Sequence, residues 1–353
     1  MSKICIIGTS NIKHISLISL YTRFFQENRI PFDIVYIDRY GIEEKIAAEH
    51  IFRFHEDKMR SPRDKLFGYI RFRKYVKGIV RQNDYSLLIT WQTTTAYILF
   101  DLLLRRFKKR YIVNVRDYIA ENNRLVKRLL SRLVRSSAFT AISSEGFLEF
   151  LPQADYVKVN SINPDLVSGI TAHRRSEDLP YKIGFVGNCR YFREAYRLID
   201  ALGNDERFEL WYCGTNSDTL AEYARERSVE NVRIVPAFDT EETVEIMDRF
   251  DMINSAFGAD AMDNRTLMPI RLYTAAAMHL PVLASGGSFL GREVDRHRIG
   301  YVIDSYDNLG DSLAEYFLCL EDDALSKSCD AFIEESMKEN RRFYQELKNL
   351  VSQ

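Results

Sequence analysis

The sequence predicts an α/β protein made of two doubly wound domains, and three observations carry that expectation. The chain has 353 residues, beyond the size at which a single hydrophobic core stops growing. In both halves short apolar runs alternate with segments of helical periodicity, the pattern of parallel strands joined by covering helices. The charge is divided as well. Residues 1–175 carry 30 Lys and Arg against 17 Asp and Glu, residues 176–353 carry 19 against 33, and the net charge of −1 conceals halves of +13 and −14. Such asymmetry fits two domains facing different partners.

In the first half, Lys3–Ile7 reads as a buried strand ending at Gly8-Thr9-Ser10-Asn11. A helical pattern over Ile15–Phe25 and a strand over Phe32–Ile37 complete a βαβ unit. Gly8 is the only glycine in that turn, so the dinucleotide fingerprint G-x-G-x-x-G is missing, and the turn is expected to open onto an interdomain cleft. Arg53–Arg81 holds ten Lys and Arg against three Asp and Glu. Within it Leu66, Tyr69, Ile70, Phe72, Val76, Ile79 and Val80 are expected on the apolar side of one helix. Lys65, Arg71, Lys74, Lys77 and Arg81 fall mostly outside that arc. Two readings stand: a core-facing helix with a solvated basic face, or a surface for an anionic membrane, where each cation contributes ~1 kcal/mol. The runs Arg105–Arg110 and Arg124–Arg135 continue the basic theme, while no finger, RNP or helix-turn-helix pattern supports nucleic acid.

Strands follow at Tyr85–Thr90, Tyr111–Val115, which runs into Arg116-Asp117-Tyr118, Ala138–Ser143 and Val157–Asn160. Residues 1–165 are expected to form the first domain and the polar, proline-flanked 166–180 a linker. The second domain, 181–335, repeats the cadence. Its strands are Tyr181–Val186, Phe208–Cys213, Val232–Val235, Asp251–Ser255 and Gly300–Asp304, with Gly187 and Gly214 closing the first two. Between them Met268–Ser285, MPIRLYTAAAMHLPVLAS, reads as a closely packed helix, a tight turn at Pro281 and a buried strand. Residues 336–353 are expected to be a helix returning to the first domain.

No apolar run approaches the ~20 residues of a membrane span, and the first residues lack the charged, apolar and cleavage regions of a signal peptide. The five cysteines form no C-x-x-C pair, as expected of free thiols in a reducing compartment. These features predict a cytoplasmic protein, peripheral on a membrane where its basic first domain meets one.

The stretch Met268–Ser285 resembles the P-x-K/R-L-Y-E-Y/A…G-x-P-V-x-A/S segment of GT-B glycosyltransferases. With Tyr181–Gly187, Leu210–Gly214, Asn231–Pro236 and Asp251–Ser255 in the same order, the chain is similar to bacterial family-four glycosyltransferases of capsule, O-antigen and exopolysaccharide assembly. That resemblance implies the GT-B fold, two Rossmann-like domains facing a central cleft. It also implies transfer of a sugar from a nucleotide-sugar to a lipid-linked saccharide, with retention of configuration. A nucleotide-sugar epimerase of the same architecture and a non-catalytic subunit are the alternatives.

Such a transferase must stabilise a departing nucleotide diphosphate. The sequence has no Asp-x-Asp pair for a metal, so no metal is expected, and cations with helix N-termini are the remaining means. In the resemblance, Gly187 to Arg193 is the diphosphate loop, with Arg193 and Arg190 as its cations and Asn188 in place of the usual Arg. Gly8, Asn264 and Arg271 are further donor-side candidates. Thr266 and Thr274 occupy the positions of a Glu pair that contacts sugar and ribose, and Asp260 or Asp263 would be a compensating carboxylate. Arg116-Asp117 resembles an R-D-x-W-P loop, Asp117 serving as general base or orienting group for an acceptor hydroxyl, or simply as a helix N-cap. His14 is the third catalytic candidate, with Asn11 and Glu145 behind it.

Overall fold

The computed structural model describes residues 3–352 apart from 16, 58, 60, 163–166, 168 and 171–177. The chain divides into two compact units, residues 1–163 with 339–353, and residues 164–338. Most of the linker expected at 166–180 lies outside the described residues.

The first unit is a seven-stranded parallel sheet of β1 Lys3–Ile7, β2 Phe32–Asp38, β3 His50–His55, β4 Tyr85–Trp91, β5 Tyr111–Val115, β6 Phe139–Ile142 and β7 Val157–Lys158. Its spatial order is 3-2-1-4-5-6-7. The second is a six-stranded parallel sheet of β8 Tyr181–Val186, β9 Phe208–Cys213, β10 Val232–Val235, β11 Met252–Ser255, β12 Val282–Ser285 and β13 Gly300–Ile303. Its order is 10-9-8-11-12-13. Each unit thus has the doubly wound order 3-2-1-4-5-6, which reverses beside its first strand. The loops after β1 and β4, and after β8 and β11, therefore flank the crevices where such sheets bind ligands.

Helices α1 Ser19–Glu27, α2 Pro62–Gln82, α3 Gln92–Ile98, α4 Phe100–Arg105 and α5 Arg124–Ser136 belong to the first unit. The second carries α6 Phe192–Leu202, α7 Asp218–Glu226, α8 Thr243–Met247, α9 Met262–Thr266, α10 Ile270–Ala277, α11 Phe289–His297 and α12 Leu309–Cys319. The last helix, α13 Asp322–Val351, is 30 residues long. Its final turns complete the first unit's core: Phe343 and Leu347 are fully buried there. Phe343 meets the Tyr21 ring edge-on at 5.1 Å and Tyr344 stacks on Phe24 at 5.8 Å.

Strand β3 has no counterpart in the sequence expectations. Its last three residues fall in the basic segment Arg53–Arg81 and its first three in no expected element, yet it pairs with β2 over six residues at the sheet edge. Two buried β2 carboxylates hold it. Asp33 accepts from the His50 amide at 3.0 Å, and Asp38 accepts from Arg53 Nε at 2.6 Å and His55 Nδ1 at 3.2 Å.

The second departure concerns α2. It starts as the sequence dictates, with Pro62 in the first turn and a reciprocal Ser61–Asp64 capping box. Its buried stripe is Gly68, Phe72, Val76, Ile79 and Val80. Leu66 and Ile70, expected on the core side, are exposed together with Phe67. At about 100° per residue they lie roughly 120° and 160° around the helix from Phe72, too far to join the stripe.

Truncating Phe343 leaves a cavity among aromatic neighbours. Phe343→Ala is expected to cost about 3–5 kcal/mol in urea unfolding of the whole chain. The fully buried Asp38 adds a pH dependence. Burial alone would raise its carboxyl, but donors from Asn11, the Tyr40 amide, Arg53 and His55 reverse this and hold it far below the usual carboxylate range. A depressed native pKa contributes stability above the unfolded value of 3.8 and loses it as pH falls through the native one. Unfolding free energy should therefore drop below about pH 4, and drop less steeply in Asp38→Asn, as read by denaturant titrations across that range.

Candidate functional site

In the second unit the candidate site forms where β8, β9 and β11 end. Gly187 and Gly214 close β8 and β9 with φ of +126° and +131°. A Cβ on Gly214 would stand 2.0 Å from the Gly187 carbonyl oxygen, so only glycine allows the two turns to approach. A Cβ on Gly187 would meet Arg271 Nη2 at 3.0 Å. The bare backbone thus makes room for a guanidinium.

Arg271 is the second residue of α10, whose start is set by Pro269 at the N-cap. Its neighbours Leu272 to Ala276 are buried, which fixes the helix and projects the arginine toward the β8 turn. The guanidinium lies 4.0 Å from the centroid of Phe185 and 5.2 Å from that of Phe257. Nη1 is enclosed and has no hydrogen-bond partner. Burial, with Arg190 adding repulsion, depresses its pKa to about 10, so it stays charged at neutral pH. Arg190 lies over its neighbour Tyr191 at 5.2 Å. No carboxylate pairs with either arginine among the described residues. Beside them a small recess is lined by Phe185, Cys189, Tyr191, Tyr212 and Asn254. An enclosed guanidinium against aromatic rings, with an exposed arginine beside it and no paired carboxylate among the described residues, has the chemistry to receive an anion.

Arg193 behaves differently. Exposed like Arg190, it pairs with exposed Asp260 at 2.7 Å, so the expected compensating carboxylate neutralises this cation of the loop. Asn188 is held by Asn216 at 2.8 Å. Asn264 is buried and spent on its own loop: its amide donates to the Phe257 carbonyl and to Asp260, and its oxygen accepts from the Ala261 amide. Thr266 and Thr274 are buried and donate to the Met262 and Ile270 carbonyls one turn earlier. Asp263 is exposed. Sequence reasoning missed Glu194, a buried carboxylate beneath Gly258 that accepts from Arg197 at 3.2 Å and from the Tyr306 hydroxyl at 2.8 Å. It also missed the Phe185–Phe257 pair. The signal for both was an arginine flanked by apolar residues and a glutamate in a helix's first turn.

In the first unit the loops after β1, β4 and β5 carry the candidates. Gly8 lies so close to Ile15 that a Cβ would stand 2.6 Å from its Cδ1. Asn11 is a structural hub, donating to Asp38 and Glu44 and accepting from the Arg39 amide. His14 hydrogen-bonds the Tyr40 hydroxyl at 3.1 Å, and partial burial and Lys13 lower its pKa. Arg116 stacks over Trp91 at 5.1 Å and donates to Ser161 at 3.3 Å. Half-buried Asp117 accepts from Gln92 at 3.1 Å, and Gln92 adopts a φ of +65°. The loop that carries both residues is pinned by Glu121, which is fully buried. Its carboxylate accepts from Thr93, Tyr97 and the amides of Ile119 and Ala120. Glu145 is exposed and pairs with Lys158.

One carboxylate–histidine group, Asp33, Glu49 and His50, has metal-ligand spacing among the described residues. The Lys3 amine already occupies its centre, 2.8 Å from Asp33, 2.9 Å from Glu49 and 3.0 Å from His50. It lies at the opposite strand ends from the candidate loops.

If Arg271 is kept charged for an anion, removing the charge should not harm the empty protein. Arg271→Met is expected to hold or raise the melting temperature while abolishing the upward shift produced by inorganic diphosphate. Gly187→Ala, strained at positive φ and crowding Arg271, is expected to lose about 1–3 kcal/mol and the same shift.

No protein-family profile matches the chain, and no curated protein sequence matches it. Solved structures do. The fold is similar to sucrose-phosphate synthase from Thermosynechococcus elongatus, with a TM-score of 0.78, 12% identity and all of both chains covered. HepE from Anabaena, solved with UDP and glucose, gives 0.68 at 11% identity, covering 99% of this chain and 100% of that one. The lipopolysaccharide outer core galactosyltransferase WaaB gives 0.67 at 12% identity over 99% of each. These are GT-B structures, and the chain has the GT-B fold.

Proposed function

We propose that the chain is a glycosyltransferase that moves a sugar from a nucleotide-sugar to a lipid-diphosphate-linked saccharide in surface-polysaccharide assembly. The observation that carries this reading is the Arg271 guanidinium, enclosed against Phe185 and Phe257 with no counter-charge among the described residues, behind a glycine turn at the reversal of a doubly wound sheet. HepE, solved with UDP and with UDP-glucose, supports a nucleotide-sugar as the anion's source. On this reading Arg271, with the exposed Arg190 beside it, takes the charge that develops on the departing diphosphate, and the enclosed guanidinium does so without reorganising. The two arginines fill the role for which other transferases use a metal. The sugar bond breaks toward the diphosphate, the acceptor hydroxyl oxygen forms the new bond, and Asp117 accepts or steers its proton. Retention of configuration is part of the proposal and follows the family resemblance. The acceptor's lipid would bring this basic first unit to the inner face of a membrane. No helix among the described residues is long and apolar enough to cross one.

A second reading, a glycosyltransferase-like subunit without turnover, is favoured by one observation. Thr266 and Thr274, at the usual Glu positions, give their hydrogens to their own helices and offer no charge to a sugar.

A panel of UDP-, GDP-, CMP- and dTDP-sugars, scored for turnover with extracted lipid-linked saccharides and for heat of binding, separates the two. Turnover with one donor is expected, and Asp117→Asn should lower kcat by about 10²–10⁴-fold with little change in donor KM. Nucleotide binding without turnover of any pair would favour the subunit, and neither binding nor turnover would end both readings.

A further inference from the structure

We propose that the first two turns of α2 form a membrane-docking face that inserts Leu66, Phe67 and Ile70 into an anionic bilayer surface. These three side chains are 59%, 58% and 54% exposed, although each is of a type that ordinarily finds cover. They project from one side of the helix, opposite the buried stripe of Phe72, Val76 and Ile79. The helix itself is anchored at both the stripe and the capping box, so this face is presented by a rigid element.

Its surroundings select the partner. Over Pro62–Gln82 there are seven Lys and Arg and one Asp, and Asp64 is engaged by Ser61. Some of the cations are already neutralised within the unit: Arg71 by Glu56, and Arg73 and Lys77 by Asp101. The remaining four, Arg63, Lys65, Lys74 and Arg81, have no carboxylate partner among the described residues. Of these, Arg63, Lys74 and Arg81 lie on the same side as the apolar trio by helical spacing. An apolar wedge framed by free cations matches a bilayer, whose headgroups are anionic and whose interior is apolar. A nucleic acid would use the cations and leave the wedge exposed. A second copy of this chain would set like charge against like charge, which opposes a self-paired face.

The experiment is sedimentation of the full chain with phosphatidylcholine vesicles, with and without about one-third phosphatidylglycerol. It needs neither donor nor acceptor, so its outcome is independent of the glycosyl-transfer reading. Expected is binding at least about tenfold tighter to the anionic vesicles and weakened by salt. The triple variant Leu66→Ser, Phe67→Ser, Ile70→Ser should lose about tenfold or more of that binding, and the pair Arg63→Glu, Lys74→Glu should lose its salt dependence as well. All five positions are exposed, so the variants should melt within a few degrees of the parent chain, and circular dichroism verifies that. Three results overturn the proposal: no preference for anionic vesicles, unchanged binding by the serine variant, or sedimentation showing a dimer that the serine variant dissolves.

Discussion

A positive charge held against aromatic rings, with no carboxylate paired to it among the described residues, is the interaction from which the second unit is best understood. Enclosing Arg271 between Phe185 and Phe257 costs hydration that cation–π attraction restores only in part. The lowered pKa registers that deficit. Much of the local architecture serves to tolerate it. Gly187 takes a backbone angle closed to other residues and leaves room for the guanidinium, and Gly214, at a similar angle, lets its turn close on Gly187. The buried carboxylate of Glu194 pairs elsewhere. Arg197 and Tyr306 hold Glu194 under Gly258. That carboxylate braces loops, while among the described residues no carboxylate pairs with Arg271.

The first unit handles charge in the opposite way. Asp33 and Asp38 are both fully buried in β2, yet each is saturated. Asp33 meets Lys3, His50 and the Tyr85 hydroxyl, and Asp38 meets Asn11, Arg53 and His55. Buried carboxylates with full complements of donors specify one strand pairing because any other register would strand them. That explains why a polar, half-exposed hexapeptide such as His50–His55 can be a strand at all: its pairing is written in the two aspartates of its neighbour rather than in its own hydrophobicity. Glu121 does the same for a loop, ordering the backbone that carries Arg116 and Asp117 with four donors.

The GT-B fold was legible because its signal is local and repeated. Runs such as Lys3–Ile7, Tyr111–Val115 and Phe208–Cys213 are mostly apolar on both faces, as buried parallel strands are, and each falls where the structure has a strand. What escaped was long-range. Strand β3 depends on residues 15 to 17 positions away, and no periodicity within it reveals them. The exposure of Leu66 and Ile70 escaped because an apolar residue near a stripe is indistinguishable by spacing from one within it until the stripe's centre is known. At the candidate site, the motif located Gly187 and Arg271 but not the difference between Arg190 and Arg193. That difference is whether a carboxylate is within reach, and Asp260 lies 67 positions along the chain.

The same distinction between satisfied and unsatisfied groups orders the remaining candidates. Asn11, Asn264, Thr266 and Thr274 carry the right chemistry, yet their donors are committed to neighbouring backbone or carboxylates. To contact a ligand, each would have to exchange one bond for another, which yields little net free energy. Arg271 Nη1 has no such bond to give up. A ligand anion there replaces a missing interaction rather than competing with an existing one, so binding gains the full worth of a charge-assisted hydrogen bond. On the proposed reading, anion recognition therefore rests on the residue the fold leaves incomplete rather than on the polar residues whose bonds are already made.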